Sequence, residues 1–275
     1  MSQPASDCCT LLACQIDIPI VRDVSARLAH VNTMVEKISR HLDQQAADLV
    51  VLPELSCIEY SRQAFDQLPE LAEDLDGPSV NAMRRLALEY QTAISFGMPR
   101  RDEDHYRISQ ITIDKSGDIS GCYDKLHICQ YGASMEKEYF QRGDNLTVFD
   151  IAGFRFASII CYDIRIPELS RALTLEHHVD CILHCGAYFR DESFDSWHAF
   201  ASTRAMENQL YLLSLNRAGN DYGDSIFCPP WIDGEQPASH FSRHREDFRY
   251  FVLDRKTINK TREQYTFLKD RLTDY

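Results

Sequence analysis

An α/β fold is predicted by three features of the sequence. Short apolar runs alternate with amphipathic stretches in both halves of the chain, the run at 48–52 is apolar on both faces, and a hairpin-like pair of runs lies between the two series. Strands of that kind belong in sheets covered by helices. No linker rich in Pro, Gly or Ser divides the chain and no repeat or low-complexity block interrupts it, so residues 1–275 are expected to form one domain.

Residues 10–18 read as a short first strand. Over 24–46 the apolar residues Leu28, Val31, Val35, Ile38 and Leu42 fall at alternating spacings of four and three, the stripe of an amphipathic helix. The strand at 48–52 ends at Pro53-Glu54. Asp76-Gly77-Pro78-Ser79 is a turn with capping chemistry, and Val80, Met83, Leu86, Ala87 and Tyr90 form the stripe of the helix after it. Residues 92–97 read as a strand. Residues 106–113 and 119–123 are the arms of a hairpin around Asp114-Lys115-Ser116-Gly117-Asp118, with Lys125 just past the second arm. The stretch 127–144 mixes charged and aromatic residues without a period, as in a long ordered loop beside a site. Strands follow at 146–150 and 154–160, a helix at 168–176, a strand at 179–184, a helix at 194–208 and a strand at 210–215. Beyond residue 216 the chain reads as irregular, with extended pieces at 225–227 and 249–253.

Composition narrows the function. A net charge of -13 repels nucleic-acid backbones and anionic membranes, so neither is an expected partner. No apolar run approaches the ~20 residues of a membrane span, and the first nine residues lack the pattern of a signal peptide, which predicts a cytoplasmic protein with reduced thiols. Of the 10 cysteines, Cys14, Cys181, Cys185 and Cys228 sit among apolar neighbours and read as core. His177, His178, Cys181, His184 and Cys185 crowd one stretch, but strand alternation puts His184 on the face opposite Cys181 and Cys185, and there is no C-x-x-C pair. No metal or other cofactor is therefore expected.

Three reactive residues terminate apolar runs: Glu54, Lys125 and Cys161. Strand ends gather at one rim of an α/β sheet, where ligands bind. A carboxylate beside a thiol can take its proton, and an ammonium can favour the thiolate and steady an oxyanion, which together make acyl-transfer machinery. Taken singly, each residue is as readily structural: a helix cap, a solvated charge, a core thiol. His127 or His198 could instead serve Cys161 in a cysteine–histidine protease.

Pro53-Glu54 after a strand, Tyr123-Asp124-Lys125-Leu126-His127, and the run from Cys161 through Tyr162-Asp163-Ile164-Arg165-Ile166-Pro167 to Glu168 resemble, in order and spacing, the three signatures of the nitrilase superfamily of carbon-nitrogen hydrolases. Glu136 with Tyr139, Phe140 and Gly143-Asp144 resembles the family segment bearing a second glutamate. Arg204-Ala205-Met206-Glu207-Asn208 with Asn216, and Asp270-Arg271 with Tyr275, extend the likeness over nearly the whole chain. The resemblance implies a four-layer αββα sandwich assembled as a homodimer or larger homo-oligomer. It implies Cys161 as nucleophile, Glu54 as general base, Lys125 as oxyanion stabiliser and Glu136 as supporting glutamate, with the Tyr162 N–H sharing the oxyanion.

Ile166 stands where the family often has phenylalanine, Glu59 where a glycine often precedes the tyrosine matching Tyr60, and 225–234 fits loosely; these departures bear on pocket shape. Tyr162-Asp163 after the cysteine resembles the amidase side, including omega-amidase-like enzymes, rather than the nitrile-cleaving side. The expected substrate is a small amide, with N-carbamoyl compounds as the alternative and nitriles behind them; a catalytically silent scaffold of the same fold is the non-enzymatic alternative. Tyr60, Tyr131, Tyr162, Tyr188 and Phe189 are the residues expected to line the substrate pocket.

Overall fold

The computed structural model describes residues 7–272 and Asp274. The expected family-like Tyr275 and most of the N-terminal stretch weighed as a signal lie outside the described residues.

The first sheet is built from β1 (Cys8–Gln15), β2 (Leu49–Val51), β3 (Ala93–Asp102), β4 (His105–Ile113), β5 (Ile119–Asp124) and β12 (Asp247–Asp254), in the order β12-β1-β2-β3-β4-β5. The second is built from β6 (Val148–Ile151), β7 (Phe154–Ile160), β8 (Cys181–Gly186), β9 (Tyr211–Asn216), β10 (Ile226–Cys228) and β11 (Ser239–His240), in the order β11-β10-β9-β8-β7-β6. Each has three parallel strands, β1-β2-β3 and β7-β8-β9, flanked by antiparallel ones.

Strand alternation sorts side chains into three apolar slabs. Leu12, Cys14, Val50 and Leu52 pack outward against α1 (Val24–Leu42) and α4 (Pro78–Tyr90). Their neighbours Leu11, Ala13, Leu49 and Val51 face the second sheet, meeting Phe156, Cys181, Leu183 and Cys185. On the far side Ala157, Ile159, Ile182 and Leu212 pack against α5 (Pro167–Leu175) and α6 (Phe194–Asn208). Three slabs separate four layers, the αββα sandwich. Strands buried on both faces explain the unbroken apolar runs of the sequence.

The differences from expectation have local causes. The first helix stops at Leu42 rather than Ala46, and β1 runs two residues earlier than predicted at its start and ends at Gln15. The 76–79 turn carries no side-chain cap: Pro78 opens α4 after Gly77, and Glu73 accepts from both the Ser79 N–H (2.9 Å) and its hydroxyl (2.8 Å). Two one-turn helices, α2 (Arg62–Phe65) and α3 (Leu68–Leu71), were unexpected because each is too short to show a period. The region beyond 216 is more regular than predicted. β12 pairs with β1 over eight residues, and α7 (Arg255–Gln264) and α8 (Phe267–Asp270) follow, with Asp254 capping α7. The polar composition of α7, with only Ile258 and Thr261 buried, hides it from a search for apolar stripes.

Candidate active site

Each of the three strand-end residues is held by a tight backbone device. Glu54 lies three residues past β2, just before Leu55 at φ 48°, and the chain there passes so close to Gly97 that a Cβ on Gly97 would sit 2.5 Å from the Pro53 carbonyl oxygen. Only glycine allows that approach. Lys125 directly follows β5, its N–H bonded to the Ile108 carbonyl (2.9 Å) and its carbonyl to the Gly143 N–H (2.8 Å). Cys161 directly follows β7 and adopts φ 45°, a left-handed turn uncommon outside glycine.

The turn is braced by Asp163. Its fully buried carboxylate accepts from the Ile160 N–H (2.9 Å), the Tyr123 hydroxyl (2.7 Å), and the His127 N–H and Nδ1 (2.9 and 2.7 Å). One side chain thus ties the Cys161 turn to the segment carrying Lys125. His127 is spent on that brace, and His198 bonds the Asp224 carbonyl (2.6 Å), so each candidate histidine partner for Cys161 has a structural bond.

Lys125 Nζ lies between two carboxylates, 2.9 Å from Glu54 Oε1 and 2.6 Å from Glu136 Oε1, with all three side chains excluded from solvent. Glu136, on a single 3-10 turn within 127–144, also accepts from the Tyr60 hydroxyl (2.8 Å) and the Cys129 N–H (2.9 Å). Glu54 Oε2 accepts the Ala187 N–H just past β8 (2.8 Å). Burial pushes the Glu54 carboxyl up to about 7, with Lys125 opposing and Glu136 adding to the rise. Burial alone would lower the Lys125 ammonium, but Glu136 and Glu54 overcome it and hold the charge on. Burial, then Glu54, raise the Cys161 thiol well above its ordinary value, so the resting sulfur carries its proton. An ammonium has three N–H donors; two are taken here, which leaves one for a ligand.

Cys161 and Glu136 reach a pocket of about 40 Å³. At ~10–15 Å³ per water it holds roughly three waters, the scale of a small acyl group. All five predicted lining residues, Tyr60, Tyr131, Tyr162, Tyr188 and Phe189, stand on its wall. The hydroxyl of Tyr60 is directed to Glu136, so that residue supports the buried charges as well as the wall. Sequence reasoning missed the Ala187 N–H, which no side chain advertises, and the role of Asp163. It also passed over Arg165, a cation four residues past the thiol that the strand-end argument could have found. Arg165 lines the pocket, donates to Ser196 Oγ and the Ser193 carbonyl (both 3.2 Å), and lies over the Phe200 ring at 4.9 Å. Its Nε is buried without a hydrogen-bond partner. The Asp191 carboxylate on the same wall, which burial alone would raise in pKa, is held low by its hydrogen bonds and then by the Arg165 charge, without a direct contact between the two among the described residues.

Across the strip with many His and Cys residues, Cys181 and Cys185 point into the slab between the sheets, while His184 faces the other way and bonds Ser214 and Cys161. Among the described residues no helix is long and apolar enough to cross a membrane.

Two facing sheets with a buried carboxylate–ammonium–carboxylate row, two members past strands of the first sheet and the third on the 3-10 turn of 127–144, define a nitrilase-type sandwich. The chain belongs to the carbon-nitrogen hydrolase family, whose profile matches residues 11–261. It is 27% identical to a probable nitrilase of Schizosaccharomyces pombe over 270 residues, 96% of each chain. It is 30% identical to a 2-oxoglutaramate amidase of Bacillus subtilis over 230 residues, 81% of this chain and 83% of that one. The fold is similar to that of Saccharomyces cerevisiae Nit3, a branch 10 member of the nitrilase superfamily, with a TM-score of 0.82, 24% identity and 96% of both chains covered. The protein is a carbon-nitrogen hydrolase, and amide hydrolysis is its general chemistry.

Proposed function

We propose that the protein hydrolyses a small amide bearing an acidic group, releasing ammonia through a thioester on Cys161. The observation that carries this reading is the buried Glu54–Lys125–Glu136 row beside a thiol at the floor of a small pocket. Glu54, poised near neutrality, takes the thiol proton as sulfur attacks the amide carbon. The oxyanion meets the spare Lys125 N–H and the Tyr162 N–H. Collapse expels ammonia, which takes its third proton from Glu54. Glu54 then deprotonates the attacking water, and the departing sulfur recovers a proton from the same carboxyl. Glu136 keeps Lys125 charged and in place.

The acidic group is inferred from Arg165, a pocket cation that no carboxylate among the described residues contacts directly, Asp191 on the same wall acting on it only at longer range. The Bacillus relative supports the same class, since 2-oxoglutaramate is an amide that also carries a carboxylate. An N-carbamoyl amino acid would meet the same groups. Ammonia release is to be measured over small amides, omega-amides of dicarboxylates, N-carbamoyl amino acids and nitriles, with Cys161→Ala as blank. The expected result is turnover of acidic amides lost by at least ~10⁴-fold in Cys161→Ala. Turnover surviving that substitution defeats the cycle, and carbon dioxide evolved along with ammonia would identify the carbamoyl substrate instead.

A further inference from the structure

Behind the Cys161 turn runs a chain of hydrogen bonds that the proposed cycle does not use. The Trp197 ring N–H, a donor only, goes to Ser214 Oγ at 2.7 Å. His184 Nε2 lies 2.9 Å from the Cys161 carbonyl oxygen, which can only accept, so the proton of the neutral ring is on Nε2. His184 Nδ1 is then an acceptor for the Ser214 hydroxyl, 2.6 Å away. The Tyr188 hydroxyl also donates to the Cys161 carbonyl oxygen, at 2.8 Å. His184 is fully buried, and burial depresses its pKa to about 4, so the ring stays neutral and the direction of the chain holds at neutral pH.

Two donors on one carbonyl matter because of where that carbonyl is. It belongs to the residue with φ 45°, a conformation that persists only where surroundings over-determine it. It also shares a planar peptide unit with the Tyr162 N–H. No cis peptide occurs among the described residues, so the C=O and N–H of this unit point in opposite directions. Fixing the carbonyl fixes the line of the N–H, and hydrogen bonds to the oxygen strengthen the N–H as a donor, by about 10–30% per bond.

We propose that His184 and Tyr188 are positioning residues for the oxyanion: by donating to the Cys161 carbonyl they aim and polarise the Cys161–Tyr162 peptide, whose N–H is the second oxyanion donor beside Lys125. Ser214, held by Trp197, donates to His184 Nδ1 and so favours the tautomer that makes this possible. The inference rests on the thioester cycle proposed above and adds to it two side chains whose effect on the oxyanion runs through the backbone, although the Tyr188 ring also stands on the pocket wall.

The test separates oxyanion stabilisation from placement of the thiol. Tyr188→Phe keeps the ring stacked on Trp197 (4.6 Å between centroids) and deletes only the hydroxyl. His184→Leu removes the second donor, and His184→Gln keeps an N–H of similar reach. Each is assayed for kcat and KM on the best amide and for the rate of Cys161 alkylation by iodoacetamide, a displacement at carbon that forms no oxyanion. A direct oxyanion donor is worth about 10²–10³ in kcat. An indirect one should cost a fraction of that, roughly tenfold for Tyr188→Phe and for His184→Leu, with His184→Gln recovering most of the loss and KM and alkylation staying within about twofold. The proposal is overturned by unchanged kcat in Tyr188→Phe and His184→Leu, by a rise in KM alone, or by alkylation falling in step with kcat. Wild-type turnover that Cys161→Ala abolishes but Tyr188→Phe leaves intact removes the positioning role and spares the cycle; turnover indifferent to Cys161→Ala removes both.

Discussion

In the floor beneath the pocket, which only Glu136 of the three reaches, Glu54, Lys125 and Glu136 are at most 1% exposed and are joined through Lys125, while at the mouth Tyr131 and Phe189 are 40% and 38% exposed and pack on Tyr162 and Tyr222, with Arg165 5.9 Å from the Tyr131 ring. The floor is a set of charges that cannot be altered singly, because removing one leaves another buried without compensation. The mouth is exposed aromatic surface, held mainly by ring contacts, whose loss leaves no buried charge uncompensated. The proposed chemistry is therefore bound to stability, and access to it is not.

The largest break in that contrast is Lys125→Met, which leaves Glu54 and Glu136 facing each other in a dry site. Turnover should fall by at least about 10³-fold with the oxyanion donor gone. Stability should fall by about 3–5 kcal/mol, the usual cost of breaking a buried pair. Urea denaturation checks the second effect. The loss should be smaller at pH 5 than at pH 8, because protonating a carboxyl relieves the repulsion. A pH-independent loss would mean that the two carboxylates do not interact.

Glu54 itself should couple activity and stability with opposite signs. Its folded pKa of about 7 lies above the unfolded value near ~4.3, so its contribution to stability is complete below that lower value and is lost as pH rises through 7. The proposed cycle needs the carboxylate, so activity should rise over the same window, half-maximal near pH 7. Glu54→Gln should flatten both slopes and cut kcat by about 10²–10⁴. An acid limb of kcat/KM retained in Glu54→Gln would assign the base elsewhere.

The floor was more legible in the sequence than its supports. Glu54, Lys125 and Cys161 announce themselves as reactive residues ending apolar runs, and the slab-forming alternation of β1 and β2 is written in Leu11–Leu12–Ala13 and Leu49–Val50–Val51. Glu136 has no such signature. It sits on one 3-10 turn in an aperiodic segment, and only its resemblance to a family segment singled it out. The Ala187 N–H and the Asp163 brace depend on bonds between residues 133 and 36–40 positions apart, which local pattern cannot show. The short α2 and α3 and the polar α7 were missed for lack of length or of an apolar stripe.

Between floor and mouth stands Arg165, which shares the wall with the aromatics yet carries a charge. Arg165→Gln should raise KM for an acidic amide about 10- to 100-fold, the range of a lost charged hydrogen bond. Its effect on kcat, and on a neutral amide of the same size, should be small. Equal effects on both amides would make Arg165 a brace for Ser193 and Ser196 rather than a substrate contact.

The smallest effect should come at the lip. Phe189 packs edge-on to Tyr222 with ring centroids 5.7 Å apart and leaves more than a third of its surface in water. Phe189→Ala removes little burial, so stability should stay within about 0.5 kcal/mol, and kcat on a short amide should hold because no floor group is touched. What should change is selection by size: a pocket of about 40 Å³ is on the scale of a small acyl group, and opening its lip should lower KM for longer amides relative to short ones. A fall in kcat for the short amide would show that mouth and floor are coupled, and the contrast between a rigid charged base and a permissive aromatic rim would not stand.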